Sequence, residues 1–177
     1  LGTIEDCPFE KLADEQMFEE LSEEILQGVL DEIRDSGEKV LFIMDDVVND
    51  MKKEARLEKL LCKVLMNRRH QCGSGGSLSV WITTQVYNKV PAPVRKCASQ
   101  IVMYETRNRM ELDSLYNEVI VGLNKMEWYQ LCKYVWDKKF QFMFVDTTKP
   151  FKKMYHKNFN QLELHTAQDE FEAKMMD

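Results

Sequence analysis

The chain has 177 residues, a length that fits one domain with a substantial hydrophobic core. Its apolar content of 44% and charged content of 31% are those of an ordinary soluble protein, and no apolar run approaches the roughly 18 residues of a membrane-spanning helix. Five scattered cysteines, without a C-x-x-C pair, argue against a zinc ribbon and fit reduced thiols in a cytosol-like compartment.

The net charge of −6 is unevenly distributed along the chain. Residues 1–38 carry 13 acids and two bases, whereas residues 39–177 carry 17 acids and 22 bases. A mildly basic body is compatible with contact to nucleic acid. The first residue is Leu1 rather than Met, so we expect the chain to be a piece of a longer polypeptide, and the acidic start does not resemble a signal peptide.

The first predicted element is an acidic amphipathic helix from about Glu15 to Asp35. Its apolar residues recur at helical spacing, at Phe18, Leu21, Ile25, Val29 and Ile33. Ser36-Gly37 ends the helix, and a strand over 40–44 follows at once. We therefore treat residues 1–38 as an acidic helical segment that precedes the main domain.

The strand at 40–44 runs directly into two adjacent carboxylates, Asp45 and Asp46. Both of its faces are apolar, which predicts a fully buried strand of a parallel sheet. In such sheets ligands bind beyond the carboxyl ends of the strands, where two acids can hold Mg²⁺ and orient a water molecule. A buried strand that ends in a solvated Asp-Asp turn is the alternative.

The remaining pattern continues the alternation of helices and strands that is typical of α/β proteins. We predict helices at about 54–69, 110–121 and 126–137, strands at 78–85, 100–104 and 140–146, and a short strand or hairpin within 151–164. The glycine-rich stretch 71–77 is expected to be a flexible loop. Residues 39–164 form the predicted core, and residues 165–177 a polar, frayed C-terminal tail.

Three motifs resemble those of a known family: Arg68-Arg69-His70 at a helix end, Trp81-Ile82-Thr83-Thr84-Gln85 at a strand end, and Val90-Pro91-Ala92-Pro93-Val94-Arg95 after it. Together with the Asp-Asp strand they resemble the FtsK–HerA branch of P-loop ATPases, in particular the genome-packaging ATPases of poxviruses and other large DNA viruses. The resemblance covers residues 38–164. It implies a partial RecA-like P-loop NTPase fold of the ASCE type, with a mostly parallel sheet flanked by helices.

The resemblance implies a role for each acid and for the end of the second strand. Asp45 matches the Walker B acid that coordinates Mg²⁺, and Asp46 matches the next acid, which polarises the attacking water. Many relatives have Glu at the second position. Gln85 matches the residue that senses the γ-phosphate, with Thr84 in support. The alternative for Gln85 is an amide that caps a strand end.

The resemblance also implies an arginine finger that acts on the ATP of a neighbouring subunit. Arg95 is the first candidate, and Arg68 and Arg69 are weaker ones that could contact the nucleotide. Positioned positive charge around the γ-phosphate is what phosphoryl transfer requires. A surface base after a turn is the alternative for Arg95.

The sequence departs from the family in one important respect, since no G-x-x-x-x-G-K-[ST] phosphate loop precedes the Asp-Asp strand. We expect that the loop and its helix belong to a missing N-terminal part. ATP and Mg²⁺ are therefore the cofactors expected of the whole protein, while this chain alone is expected to bind ATP poorly and to be inactive.

The resemblance predicts part of an ATP-driven translocase that packages viral genomic DNA into capsids. The expected partners are double-stranded DNA held without sequence specificity, identical subunits in a ring, and a capsid or portal protein. The expected location is the host cytoplasm, in virus factories, or the virion. The alternative is a non-catalytic α/β remnant of such an ATPase that acts only as a binding module.

Overall fold

The computed structural model of the chain describes residues 12–53 and 55–164, which form a mixed α/β structure with a small parallel sheet and an antiparallel sheet. Two compact units are present. The first comprises the chain up to Gln85 together with Lys89–Pro91, and the second comprises Val86–Asn88 and the chain from Ala92 onward. The division falls inside the predicted core at 39–164, and the predicted tail at 165–177 lies outside the described residues.

The first unit is built on two parallel strands. Its elements are α1 (Glu23–Ile33), β1 (Lys39–Asp45), α2 (Val48–Lys53), α3 (Ala55–Asn67) and β2 (Ser77–Thr83), with a single 3₁₀ turn at each of Asp14–Gln16 and Arg68–His70. The strands pair in register from Lys39 opposite Ser77 to Asp45 opposite Thr83. Its buried side chains come from every one of these five elements and include Leu26, Leu30, Met44, Met51, Leu57, Leu61, Val64 and Leu78.

The acidic helix α1 begins eight residues later than the sequence pattern predicts. The hydroxyl of Ser22 accepts a hydrogen bond from the amide of Ile25 at 3.2 Å, and two glutamates occupy the first turn. A serine cap and acidic side chains at a helix N-terminus both stabilise that starting point. Phe18, predicted on the apolar stripe of the helix, is instead 53% exposed. The predicted helix from Glu15 is therefore wrong in its first two turns.

Strand β1 is covered on one face only, so the prediction of a fully buried strand is wrong. Met44 is buried, whereas Leu41 and Ile43 on the opposite face are 45% and 41% exposed. The register places Trp81 of β2 beside Ile43 on that same face, with 61% of its surface exposed. Both faces of β1 are thus apolar, but the described residues of this unit bury only the face that carries Met44.

The glycine-rich loop between α3 and β2 is packed rather than being the predicted flexible linker. The side chain of Cys72 is completely buried, and its carbonyl accepts a hydrogen bond from the amide of Gly37 at 2.7 Å. At Gly76 an added Cβ would lie 2.6 Å from the Cys72 carbonyl oxygen and 2.7 Å from that of Glu38. Only a residue without a side chain fits there.

Substitution of Gly76 by alanine is therefore expected to lower the free energy of unfolding by about 1–3 kcal/mol, the usual cost of forcing a methyl group into a packed site. Gly28 provides the matched control, because it lies inside α1 and a Cβ there would meet nothing within 4 Å. Gly28→Ala should raise stability by about 0.5–1 kcal/mol, the gain from replacing a helical glycine. Urea unfolding of both variants measures the difference, and equal effects at the two positions would contradict this account of Gly76.

The second unit contains a four-stranded antiparallel sheet with the strand order β3–β4–β5–β6. Its elements are α4 (Ala92–Arg95), β3 (Gln100–Tyr104), α5 (Arg109–Glu118), α6 (Lys125–Val135), β4 (Phe142–Asp146), β5 (Tyr155–Lys157) and β6 (Asn160–Gln161). A 3₁₀ turn at Phe151–Lys153 leads into β5. The predicted strand at 100–104 and the predicted hairpin within 151–164 are confirmed.

Helix α6 and one face of this sheet enclose the core of the second unit. Trp128, Val135 and Met143 are completely buried at its centre. The helix begins with a capping box, in which Asn124 accepts from the amides of Met126 and Glu127 and the Glu127 carboxylate accepts from the Asn124 amide at 2.7 Å. Such reciprocal caps fix the start of a helix, and this one holds the apolar face of α6 against the sheet.

The prediction of a mostly parallel sheet is wrong, because among the strands at 12–53 and 55–164 only β1 and β2 pair in parallel. Strand β4 pairs antiparallel with β3, from Gln100 opposite Asp146 to Tyr104 opposite Phe142, and antiparallel with β5 on its other side. Parallel and antiparallel strands share the side-chain period of two, so an apolar run does not record its direction. The described cysteines form no disulfide bond.

Candidate functional site

The carboxyl ends of β1 and β2 lie side by side and bring an acid against a hydroxyl. Asp45 and Thr83 are opposite each other in the parallel register, and the Thr83 hydroxyl donates a hydrogen bond to the Asp45 carboxylate. Both side chains are on the exposed face of the sheet. The two strand ends therefore lie at one edge of the small parallel sheet, which is the edge where α/β sheets bind ligands.

Asp46 leaves the strand in a left-handed backbone conformation, with φ at 51°. Its amide still donates to the Thr83 carbonyl at 3.2 Å, which ties the turn to the end of β2. Its carboxylate accepts a hydrogen bond from the Gln85 side-chain amide at 3.4 Å. Aspartate tolerates this conformation better than most residues, and strained backbone of this kind is often found at functional sites.

Four polar side chains thus form the carboxylate site, defined here as Asp45, Asp46, Thr83 and Gln85. Two hydrogen bonds link them in pairs across the strands, one from Thr83 to Asp45 and one from Gln85 to Asp46. Of the residues predicted from sequence, Asp45, Asp46 and Gln85 are brought together. The pairs leave Asp45 and Asp46 each with a second oxygen or lone pair for another ligand.

Thr83 was not among the predicted site residues, whereas Thr84 was. The strand places Thr83 on the same face as Asp45, and Thr84, half-buried, is directed by the alternation of the strand to the other side. The period of two along β2 marks one face of the strand, but only the register with β1 shows that Asp45 lies on that face. Ser79 and Trp81 are exposed on one face of β2, and every second residue after them along the chain, Thr83 and then Gln85, is exposed as well.

Arg68 and Arg69 lie in the 3₁₀ turn that follows α3. The guanidinium of Arg68 donates to the carbonyl of Leu65 at 3.1 Å and so satisfies the C-terminal end of the helix, while Arg69 is exposed. Within the described residues no hydrogen bond or ion pair connects either arginine to Asp45 or Asp46. Capping of a helix end accounts for Arg68 without a nucleotide.

Arg95 belongs to the second unit, where Glu118 of α5 holds it. Two nitrogens of the guanidinium donate to the two carboxylate oxygens of Glu118, at 2.9 and 2.5 Å. The guanidinium carbon lies 4.9 Å from the centre of the Tyr87 ring, and the Tyr87 hydroxyl donates to Glu118 at 3.0 Å. Only 10% of the Arg95 side chain is exposed. This arrangement differs from the alternative for Arg95, a surface base after a turn.

The charges in this arginine cluster, defined as Tyr87, Arg95 and Glu118, stabilise one another. The hydrogen bonds from Arg95 lower the pKa of the Glu118 carboxyl, and Glu118 in turn raises the pKa of Arg95. Burial, together with the bond to Glu118, raises the pKa of the Tyr87 hydroxyl. Both ions therefore stay charged at neutral pH, and a bidentate pair of this kind is geometrically well defined.

The donor atoms of the carboxylate site fit a magnesium ion but not a nucleotide by themselves. Carboxylate and hydroxyl oxygens are hard ligands, and Mg²⁺ is commonly held by one or two carboxylates with phosphate oxygens and water in the other positions. No group of three or more His, Cys, Asp or Glu residues able to enclose a metal occurs at 12–53 or 55–164. The sequence contains no G-x-x-x-x-G-K-[ST] to bind phosphates.

Comparisons with known proteins identified no relative. No protein-family model matches the chain, and neither the curated proteins nor the solved structures contain a match. Among the helices that the structure describes, none has the length and apolar character needed to cross a membrane.

Proposed function

We propose that this chain is the Walker B half of an FtsK–HerA-type ATPase, with a RecA-like core, that drives viral genomic DNA into capsids. The observation that carries the proposal is the carboxylate site, in which two adjacent acids at one parallel strand end are each hydrogen-bonded to a polar residue at or just after the end of the next strand. Neighbouring strand ends with this donor set suit phosphoryl transfer, which needs a metal, an oriented water and γ-phosphate contacts.

Each residue of the carboxylate site has one task in this proposal. Asp45 holds Mg²⁺, with its orientation fixed by the Thr83 hydroxyl. Asp46 orients the attacking water and accepts its proton, and the Gln85 amide keeps that carboxylate in place. ATP, when bound, supplies the phosphoryl group. Its phosphate cradle would come from a part of the protein outside this chain.

The edge of strand β2 that faces away from β1 favours a larger sheet in the complete protein. Among the described residues its only hydrogen-bonded neighbour is β1, so its other edge offers unpaired amides and carbonyls. The exposed face beside that edge carries Leu41, Ile43 and Trp81. An additional strand would pair with the edge of β2, and a helix would cover the apolar face. A strand and a helix are the two elements that a phosphate loop connects in a RecA-like core.

The same proposal includes the partners and the location. Identical subunits would form a ring, double-stranded DNA would be contacted through its phosphates by the basic part of the chain, and a capsid or portal protein would dock the ring. The work would take place in the virus factories of the host cytoplasm or in the virion. Residues 39–177, with 22 bases against 17 acids, provide the charge that phosphate contacts need.

The test is to translate the coding DNA that lies upstream of the codon for Leu1. We expect an in-frame G-x-x-x-x-G-K-[ST] after an apolar stretch, because the carboxylate site requires a phosphate loop to act on a nucleotide. A start codon close to Leu1, with no such motif in frame, would contradict the ATPase. It would favour the second candidate, a binding module without catalysis, for which the missing loop is the supporting observation.

A further inference from the structure

The antiparallel sheet of the second unit has one face packed on α6 and one face without a covering helix among the described residues. Met103 and Met143, on the packed face, belong to the core or contact it. On the other face the register places Val102 opposite Phe144 and Tyr104 opposite Phe142. Together with His156 of β5 and Phe159 of the following turn, this surface forms the aromatic face, defined as Tyr104, Phe142, Phe144, His156 and Phe159.

The five rings of the aromatic face form a continuous series. The Phe142 ring centre lies 5.7 Å from that of Tyr104 and 5.0 Å from that of Phe159. The Phe144 ring centre lies 5.0 Å from His156 and 5.8 Å from Phe159. The series is exposed at one end and at its middle, since Tyr104 is 59% and Phe159 is 75% exposed. Ring surface on this scale is available for stacking with a ligand.

Phe159 is exposed but its position is fixed by the turn that carries it. Asn158 adopts a left-handed conformation, with φ at 55°. Its side chain accepts a hydrogen bond from the Phe142 amide at 3.1 Å, and its own amide donates to the Phe142 carbonyl at 2.8 Å. The turn is thereby fastened to β4. A ring held this way loses little conformational entropy on binding, which favours a role in recognition.

The charges around the aromatic face are predominantly positive. The segments 104–109 and 137–142, which adjoin the Tyr104 and Phe142 end, contain Arg107, Arg109, Lys138 and Lys139 against Glu105 and Asp137. Asp137 is already paired with Lys157 at 2.8 Å. Over residues 92–164 the second unit carries twelve bases and eight acids. A partner that combines flat apolar rings with negative charge complements this surface in both respects.

We propose that the aromatic face binds the unpaired bases of a single-stranded nucleic acid, while the adjacent arginines and lysines contact its phosphates. Bases stack on exposed aromatic side chains in a sequence-tolerant way, and antiparallel sheets with such rings are a common platform for single strands. In a duplex the bases are stacked on each other and do not reach the rings. This inference goes beyond the proposed ATPase and does not depend on a bound nucleotide.

The experiment measures fluorescence anisotropy of the 177-residue chain with three labelled probes: a 20-nucleotide single strand, a duplex of the same length, and a 20-unit abasic strand. We expect the single strand to bind at least tenfold more tightly than the other two. Phe159→Ala should weaken single-strand binding by about tenfold, within the range found for loss of one stacked base. Circular dichroism would establish that the variant is folded.

Trp81→Ala is the matched control, because Trp81 is also an exposed aromatic but lies in the first unit. It should leave the affinity for the single strand unchanged. Equal binding of the single strand and the abasic strand would overturn the proposal, since only phosphates would then be contacted. Equal loss of affinity in both variants would overturn it too, as would self-association of the chain without any oligonucleotide binding.

Discussion

Replacing Asp46 by asparagine, in the polypeptide that joins this chain to its phosphate loop, is expected to lower ATP turnover at least a hundredfold and to leave ATP binding unchanged. A residue that takes a proton from the attacking water contributes about 10² to 10⁴ in rate, and an amide cannot accept that proton. Phosphate release measures turnover, and a fluorescent nucleotide analogue measures binding. The two together separate chemistry from nucleotide affinity.

Asparagine is the right substitution because it preserves the local structure. Like aspartate, it tolerates the left-handed φ of 51° found at this position. Its side-chain oxygen can still accept the hydrogen bond from Gln85. The variant therefore removes the charge and little else, which an alanine at the same position would not achieve.

Asp31→Asn serves as the matched control, since it removes an exposed carboxylate from α1 in the same unit, where Asp31 pairs with Arg34. Its turnover should equal that of the unmodified protein. If Asp46→Asn were as active as Asp31→Asn, Asp46 would not be the base, and the solvated Asp-Asp turn would be the better interpretation of this strand end.

Replacing Arg95 by alanine is expected to have two effects of different origin. As an arginine finger, its loss should lower turnover by about 10³-fold or more. As the partner of Glu118, its loss should lower the free energy of unfolding by about 1–2 kcal/mol, because a partly exposed carboxylate loses its counter-ion and two charged hydrogen bonds. Turnover and urea unfolding of the same variant give both quantities.

Mixing subunits distinguishes a finger from a purely structural ion pair. In a ring of Arg95→Ala and Asp46→Asn subunits, some interfaces combine an intact acid with an intact arginine from the neighbour. Turnover should therefore recover to a measurable fraction of the normal rate. No recovery would show that Arg95 does not act on the ATP of another subunit, and that its role is to join α4 to α5 through Glu118.

Glu118→Gln is the companion variant for Arg95. The amide still accepts one hydrogen bond from the guanidinium, and the charge that holds Arg95 in the cluster is removed. If Arg95 must leave Glu118 to reach a phosphate, this variant should retain or increase turnover although it is less stable. A loss of turnover as large as that of Arg95→Ala would indicate that the intact ion pair is the functional form.

The sequence was informative about features that depend on one helix or one strand alone. The strand at 100–104 has the predicted bounds, and the predicted helix at about 126–137 is found as α6, with Trp128, Leu131, Cys132 and Val135 buried at amphipathic spacing. Asp45 and Asp46 could be selected from their position at a strand end, and Gln85 from the family resemblance. These features depend on the local periodicity of the apolar residues and on the residues that end a helix or strand. Both are contained within one short segment of the chain.

Features that depend on two distant segments were missed. Arg95 and Glu118 are 23 residues apart in the sequence and meet through their side chains. The apolar pattern of α4 or of α5 does not indicate this contact. The pairing of Thr83 with Asp45 depends on the register of two strands rather than on either alone. The direction of β4 and the exposed side of β1 follow from which elements are adjacent, and hydrophobic periodicity does not encode that.

The open edge of β2 has a consequence for how this chain behaves in solution. No described strand other than β1 pairs with β2, so its amides on the other edge, beside the exposed Leu41, Ile43 and Trp81, form a template on which another extended segment can add. The 177-residue chain should therefore aggregate in a concentration-dependent manner during expression and storage. A lysine in place of Trp81 would place a charge beside that edge and would be expected to improve the yield of soluble material.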